Sequence, residues 1–374
     1  MTKTLARHVQ LAGIVALAAV AAPAPLAFAT PPAFAAAPEP PRDPLAAEIA
    51  RWKTFAATPG PSGEIWDSVK QGGEPLLLRA EQALADGRRL LALQRLAAAR
   101  EGFFAARYLY GLPSPARQDA SGFEAEWRRV GAELEPQLAP PAADTLAGVA
   151  PAAVRAIGEA ALPQVRIYYE ASLDYGQNTV FDSGLYYMGS ALAQRDLTGL
   201  LRSVSAPVAT PAPPLRSLAP ELAALEKEVL AAYRPPASID RHTDFIRASA
   251  ALKEAHELDA LGLRHGALLR YLQAAQRFAP VGGVPAGPAD ALEARLREYD
   301  ARLASRERDD TIGRLFLETA QSLAGAGKDQ DPALAQAIAD FVLPKYFAAL
   351  EPAPRVPEAQ KPRATVTLVR WPYT

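Results

Sequence analysis

The chain has 374 residues and nearly balanced charges, with 40 Lys and Arg against 41 Asp and Glu. This balance gives no electrostatic reason to expect binding to nucleic acid or to an anionic membrane surface. The absence of Cys excludes a disulfide framework, a thiolate zinc site and a lipidated cysteine. With 49% hydrophobic residues, the chain is long enough for a sizeable core and for two domains.

Residues 1–29 have the pattern of an export signal peptide. Lys3 and Arg7 precede an apolar run from Leu11 to Ala22, and Ala27-Phe28-Ala29 fits a cleavage site of small residues. The run is short for a membrane span, which needs about 20 apolar residues. We therefore predict a periplasmic or secreted protein of bacterial type, with an uncleaved anchor as the alternative reading.

The next part of the chain is predicted to be helical. Residues 30–44 are rich in Pro and Ala and are predicted to form a disordered leader. Residues 45–205 form a predicted N-terminal helical subdomain, because apolar residues recur in it every three or four positions. Pro and Gly residues divide this subdomain into helices predicted over 45–58, 62–71, from Pro75 onward, 88–110, 121–138, from Pro163 onward, and 185–195, with shorter helices expected after Pro151.

A Pro-rich stretch at 206–220 predicts a linker between two subdomains. Residues 221–351 then form a predicted C-terminal helical-repeat subdomain. Its helices are predicted over 222–233, in a helical hairpin at 244–280, and over 290–306, 311–324 and 332–350.

The last residues, 352–374, read as a Pro-rich tether followed by a β-prone tail. The run Thr365–Val369 favours a strand, but the chain offers it no evident partner strand. The tail therefore either folds back on its own helices or adds to the sheet edge of a partner, with Trp371 as a candidate contact residue.

The predicted hairpin at 244–280 turns at Gly262, a residue that ends a helix without a Cβ clash. Its small and large residues resemble a tetratricopeptide repeat, a unit of about 34 residues. A partial second match covers 76–104, whereas Ala251 stands where the family carries a tryptophan-type residue. The residues that carry the resemblance are Ala255, Leu258, Gly262, Ala267, Tyr271, Ala274 and Pro280. The resemblance implies stacked antiparallel helix pairs that bind a peptide or a partner protein.

An unusual density of aromatic residues marks the stretch 165–190 in a chain that is only 7% aromatic. Tyrosine combines a large apolar face with a polar tip, which suits the recognition of a peptide, a sugar or a flat small molecule. Packing between helices is the alternative role for these rings. The candidate partner-binding residues are Tyr168, Tyr169, Glu170, Asp174, Tyr175, Tyr186 and Tyr187, together with Trp371 in the tail.

The sequence contains no recognisable catalytic or metal-binding set. His256-Glu257 begins like a zinc-protease helix, but Ala260 occupies the position of the second histidine. No Gly-x-Ser-x-Gly elbow occurs, and the Gly-rich run at 325–328 lacks the hydroxyl residue of a phosphate loop. His256 and His265 flank the turn of the hairpin and are the nearest approach to a metal site. We therefore expect no metal and no cofactor.

Together these patterns predict an all-α protein of antiparallel helical hairpins stacked as a tetratricopeptide-like array, with a short β-prone tail. The predicted function is that of an exported, non-catalytic protein that binds a peptide, a protein or an envelope component. Two alternatives stay open: a cell-envelope enzyme that uses carboxylates and tyrosine hydroxyls at 165–190, and a small-ligand-binding protein. The sequence leaves the partner and the oligomeric state undetermined.

Overall fold

The computed structural model describes residues 43–60, 63–205, 212, 215–236, 238–282, 289–325 and 330–351. Within these ranges the chain is all-helical, as predicted, and contains no strand. The helices are α1 (Pro44–Ala57), α2 (Glu64–Ala85), α3 (Arg89–Gly111), α4 (Ser114–Gln118), α5 (Ala120–Leu138), α6 (Ala152–Gln177), α7 (Phe181–Val204), α8 (Ala219–Ala232), α9 (His242–Ala260), α10 (Arg264–Gly282), α11 (Ala289–Ala304), α12 (Thr311–Ala324), α13 (Pro332–Ala337) and α14 (Leu343–Ala349). A 3₁₀ turn (Ile239–Arg241) precedes α9, and a π-helical segment (Ile338–Val342) joins α13 to α14. The predicted signal peptide, most of the leader and the β-prone tail with Trp371 lie outside the described residues.

Helices α2 and α6 are longer than predicted because proline does not interrupt them, and α7 extends beyond both ends of the predicted 185–195. Helix α2 continues through Pro75, and α6 continues through Pro163 to reach 26 residues. A proline inside a helix removes one backbone hydrogen bond and usually kinks or breaks the helix. Here α2 packs against α3 and α6 packs against α7. This packing outweighs the preference of proline to end a helix. The prediction of shorter helices after Pro151 was therefore wrong.

Within the described ranges, the most extensive contacts between consecutive helices are those of the antiparallel hairpins α2/α3, α6/α7 and α9/α10. In the last pair the amide of Leu263 donates to the carbonyl of Leu258, and Gly262 has φ +76°. This helix end, closed by backbone hydrogen bonds around a left-handed residue, is a Schellman motif. The turn predicted at Gly262 is confirmed. Gly87, with φ +76°, ends α2 in the same way.

The hairpins stack through α3 against α7 and through α6 against α10. The α3/α7 contact is close at Gly189, where an added Cβ would lie 2.7 Å from the Cα of Ala105. Helix α12 packs against both α3 and α6. One apolar core contains residues from both sides of the predicted linker, including Leu96, Leu222 and Phe316. The division into two subdomains stays a prediction.

Several helices begin at a buried carboxylate that belongs to a different part of the chain. The carboxylate accepts a hydrogen bond from a backbone N–H of the first turn, which otherwise has no partner within the helix. The first residues of α3, α6 and α8 carry no side-chain cap of their own. The four pairs are Glu318 with Leu91 N at 3.0 Å, Asp309 with Ala152 N at 2.6 Å, Asp259 with Leu218 N at 3.0 Å, and Glu159 with Gly266 N at 2.9 Å.

Candidate functional site

Four of the predicted binding tyrosines come together where α6 and α7 pack against each other. The rings of Tyr175 and Tyr187 stack with their centroids 4.9 Å apart. Tyr168 lies 5.9 Å from Tyr187, and Tyr186 meets Tyr187 edge to face at 6.2 Å. Residues 168 and 175 are about two helical turns apart, so both side chains leave α6 from one face. Tyr175 is 36% exposed and the other three residues are partly exposed.

The structure does not bring Tyr169, Glu170 or Asp174 into this cluster. Tyr169 is buried, stacks on Trp127 with centroids 4.8 Å apart, and donates its hydroxyl to the carbonyl of Trp127 at 3.0 Å. Its contacts join α5 to α6. Glu170 and Asp174 are exposed, and Glu170 lies 3.9 Å from Arg166 on the same helix. A helix rotates about 100° per residue, so neighbours of Tyr168 and Tyr175 point elsewhere.

A carboxyl group that sequence reasoning missed lies beside the tyrosines. Glu101 of α3 accepts a hydrogen bond from Gln194 Nε2 at 2.5 Å and lies within hydrogen-bonding reach of the Tyr168 hydroxyl. Burial raises the pKa of Glu101, and the hydrogen bond from Tyr168, the charge of Arg270 and the hydrogen bond from Gln194 only partly offset the effect. The residue nevertheless keeps some exposed surface. Protein therefore surrounds most of this residue, and its carboxyl group is buried.

We call this arrangement the tyrosine recess; its residues are Glu101, Tyr168, Tyr175, Tyr186, Tyr187 and Gln194. Burial raises the pKa of Tyr168, Tyr186 and Tyr187, and the charge of Glu101 adds to the effect. The phenol groups are therefore neutral hydrogen-bond donors at physiological pH. The recess combines ring faces, phenol donors and one carboxyl.

Charged side chains of α9 and α10 lie next to the recess. Arg270 Nε is 2.8 Å from the carboxylate of Glu254, and the same guanidinium donates to Gln273 Oε1 at 2.9 Å. The pKa of Arg277 is lowered by burial and by the neighbouring cations Arg247 and Arg270. Arg277 is still open to solvent on one side. These groups add a polar border to an otherwise aromatic surface.

Glu101 resembles the buried Glu318 and Asp309 in being hydrogen-bonded by neutral groups, but its donors are side chains rather than mainly the backbone of a helix start. Among the described residues it has no ion pair, and its hydrogen-bond donors are the neutral groups of Gln194 and Tyr168. The charge of Arg270 acts on Glu101 without forming an ion pair, and a buried carboxylate that is only partly compensated in this way favours the approach of a further positive group. The faces of tyrosine rings attract cations as well. The tyrosine recess can therefore accommodate an ammonium or guanidinium group.

Sequence reasoning had little basis for selecting Glu101. The residue falls among small and apolar residues of α3, with Ala97 one turn before it and Phe104 one turn after. An acidic residue on the apolar face of a predicted helix was the available signal. The meeting of α3 with α6 and α7 could not be read from spacing, because 67 positions separate Glu101 from Tyr168.

The three histidines of the α9/α10 region contact different partners. His256 lies 3.7 Å from Glu226, and the buried His265 lies 3.6 Å from Glu159. His242 shares a hydrogen bond of 2.7 Å with the hydroxyl of Tyr233. Within the described ranges, no group of three or more His, Cys, Asp or Glu residues is arranged to hold a metal ion.

Comparison with known proteins adds no functional assignment. In the part of the chain that the structure covers, no helix combines the length and apolar character that crossing a membrane requires. The chain matches no protein-family model, no curated protein and no solved structure.

Proposed function

We propose that the protein binds a peptide or protein segment by seating a basic side chain of that segment in the tyrosine recess. The observation that carries the proposal is the environment of Glu101: a buried carboxyl, with a raised pKa and no ion pair among the described residues, beside four partly exposed tyrosines. The role is non-catalytic and needs no cofactor.

A lysine or arginine side chain would gain from this environment in two ways. Its charge would stabilise the ionised form of Glu101, which burial now disfavours. Its ammonium or guanidinium group would also lie near the faces of Tyr168, Tyr175 and Tyr187, and a desolvated cation–π contact contributes about 2 kcal/mol. An uncharged side chain of the same length would lose both contributions.

The helical hairpins support a wider proposal, that the chain is a degenerate tetratricopeptide-like array. The turns at Gly87 and Gly262 use the same left-handed ending, and the hairpins stack side by side. Such stacking offers an extended surface on which a peptide can continue beyond the recess. The proposed setting is the periplasm or the exterior of the cell, on the export-signal pattern of residues 1–29.

The test uses an array of 12-residue peptides probed with four purified proteins. The wild type is compared with Glu101→Gln, which removes the charge, and with Tyr187→Ala, which removes the central ring. The matched control is Leu230→Ala, a change at a 61% exposed apolar residue of α8. We expect wild type and control to select peptides with Lys or Arg at one position, and both recess variants to lose that preference.

Two outcomes would contradict the proposal. One is the absence of any peptide bound above background by the wild type. The other is an unchanged selection by Glu101→Gln. If free arginine or an alkylamine raises the melting temperature of the wild type while no peptide binds, the small-ligand-binding alternative takes the place of the proposal.

A second candidate function is an envelope enzyme that uses Glu101 as a proton donor. The raised pKa of Glu101 and the adjacent Tyr168 hydroxyl favour it, because a carboxyl that stays protonated at higher pH can act as a general acid. The exposed Glu170 and Asp174 give it no second carboxyl in the recess. Time-dependent cleavage of a captured peptide or glycan by the wild type, abolished in Glu101→Gln, would establish it.

A further inference from the structure

A separate cleft of about 610 Å³ lies between α1, α3 and α7. Four arginines of its lining face two carboxylates, so the lining carries a net charge of +2, whereas the whole chain has a net charge of −1. Apolar surface comes from Trp52, Phe104 and Leu200. The volume lies within the range of small-molecule sites. The arginines are Arg51, Arg100, Arg107 and Arg195.

Two of the four arginines are already paired with acids. Arg51 contacts Glu48 at 2.7 Å, and Arg195 contacts both Glu133 at 2.5 Å and Asp196 at 2.8 Å. These pairs hold the side chains in fixed positions around the cleft. They also use most of the negative charge that the lining contains.

Arg100, at the base of the cleft, is incompletely paired. It is only 5% exposed, and one terminal nitrogen donates to the carbonyl of Ala193 at 2.8 Å. Its buried Nε has no hydrogen-bond partner. The nearest carboxylate, Glu48, stays 3.8 Å away and accepts from Arg51 and from Trp52 Nε1 instead. Burial lowers the pKa of Arg100, which reflects the incomplete pairing of its charge.

Arg107 is a second cation of the lining whose charge is not fully paired. It lies on the same face of α3 as Arg100, seven residues further on, and is exposed. Its guanidinium is 5.8 Å from the ring centre of Phe55, and it has no ion pair among the described residues. A buried, partly unsatisfied guanidinium and an exposed free one therefore face the same cleft.

We propose that this cleft is a second binding site, for a small organic oxyanion with an apolar or aromatic body. Carboxylate and phosphate groups match the donor geometry of guanidinium, and an oxyanion there would accept the unused hydrogen bonds of Arg100. Trp52, Phe104 and Leu200 would contact the apolar body. An oxyanion would also balance the excess positive charge of the lining.

This site is distinct from the tyrosine recess and prefers the opposite charge. Arg100 and Glu101 are neighbours on α3, as are Ala193 and Gln194 on α7, so the members of each pair leave their helix about 100° apart. The protein therefore offers a cation site and an anion site that use adjacent residues of α3 and α7.

The test is isothermal titration calorimetry of the full-length protein with phenyl phosphate, benzoate, inorganic phosphate and benzyl alcohol. We expect saturable one-to-one binding of phenyl phosphate or benzoate and none of benzyl alcohol. Inorganic phosphate separates recognition of the oxyanion alone from recognition of the whole molecule. The stronger of the two aromatic anions identifies the preferred head group.

Two variants and one control locate the site. Arg107→Gln changes an exposed residue and is expected to weaken binding about tenfold, the equivalent of one charge-assisted contact. Arg100→Gln should abolish binding, and circular dichroism checks that it folds. The control is Arg128→Gln on α5, whose side chain is 68% exposed and pairs with Glu124 outside the cleft.

Absence of saturable binding of either aromatic anion at about 10 mM would overturn the proposal, since even weak sites have millimolar affinity. Equal affinity of wild type and Arg107→Gln would overturn it as well. If Arg100→Gln does not fold, the affinity of Arg107→Gln for the aromatic anion alone decides whether the proposal stands.

Discussion

At the scale of single residues, two buried glutamates differ in how their charges are paired. Burial alone would raise the pKa of Glu159, but the nearby His265 at 3.6 Å and hydrogen bonds from Gly266 and Arg155 outweigh it and lower the pKa. Glu101 receives hydrogen bonds only from neutral groups, and its pKa is raised. The first residue is therefore part of a structural ion pair, whereas the charge of the second is only partly compensated, by Arg270 at longer range.

The Glu101→Gln variant is expected to be more stable than the wild type at pH 8, by on the order of 1 kcal/mol. Because the folded-state pKa is raised, the folded state holds its proton more tightly than the unfolded state. Wild-type stability therefore falls as pH rises from about 4.5 through the raised pKa. Urea unfolding between pH 4 and 8 checks this, and a variant that is less stable at every pH would contradict it.

The Glu159→Gln variant is expected to lose about 3 kcal/mol, because removing one partner of a buried pair leaves Arg155 without compensation. The lowered pKa means that this stabilisation is present above about pH 4.5 and is lost as pH falls through the folded-state value. The control is Glu170→Gln on the same helix, where an exposed ion pair contributes little. Equal losses of unfolding free energy in the two variants would show that Glu159 is not part of a stabilising buried ion pair.

At the scale of helices and turns, the α6/α7 turn departs from the other two hairpins. Thr179 has φ +59° where Gly87 and Gly262 occupy the left-handed position, and the amide of Val180 closes the turn on the carbonyl of Tyr175. A β-branched residue in this region is strained. The strain lies directly beside the tyrosine recess, since Tyr175 belongs to the same turn.

Replacing Thr179 with Gly should raise the free energy of unfolding by about 1 kcal/mol, because a left-handed conformation costs 1–2 kcal/mol in a residue with a Cβ. The reciprocal change, Gly87→Ala, should lower the free energy of unfolding by a similar amount. An added Cβ at Gly87 has open space, so the expected cost comes only from the left-handed backbone conformation. Chemical denaturation measures both changes. A destabilised Thr179→Gly would show that the threonine side chain makes a contact that outweighs its strain.

Much of the helical architecture follows from the sequence, but the exceptions arise from tertiary contacts. Helix α12 has the predicted bounds, Thr311–Ala324, because Asp310 and Gly325 mark its ends. Pro75 and Pro163 predicted helix starts that packing overrides. The cluster of tyrosines was visible in composition, whereas Glu101 was not, because its environment exists only after α3 meets α6 and α7.

At the scale of the whole molecule, buried carboxylates tie distant helices together. Glu318 of α12 caps α3 across 227 positions, and Asp309 just before α12 caps α6 across 157. A helix start held this way forms only when the tertiary structure forms. No local capping residue in the sequence indicates such a contact. The positions of Pro and Gly were therefore the basis on which we predicted where these helices start.

This linkage predicts that the chain unfolds as one cooperative unit across the predicted linker at 206–220. In a Trp371→Phe background the remaining tryptophans, Trp52, Trp66 and Trp127, all precede the linker, whereas circular dichroism reports helices on both sides. Urea transitions followed by fluorescence and by circular dichroism should coincide. Two separated transitions would instead support two independent subdomains.

The central claim, that the tyrosine recess binds a cation through Glu101, is tested most directly by a double-mutant cycle. A bound peptide with arginine at the selected position is compared with its citrulline analogue, against wild type and Glu101→Gln. We predict that citrulline weakens wild-type binding at least about tenfold and leaves Glu101→Gln almost unaffected, a coupling of about 1.4 kcal/mol. Equal losses in both proteins would mean that arginine and Glu101 do not interact, and would contradict the claim.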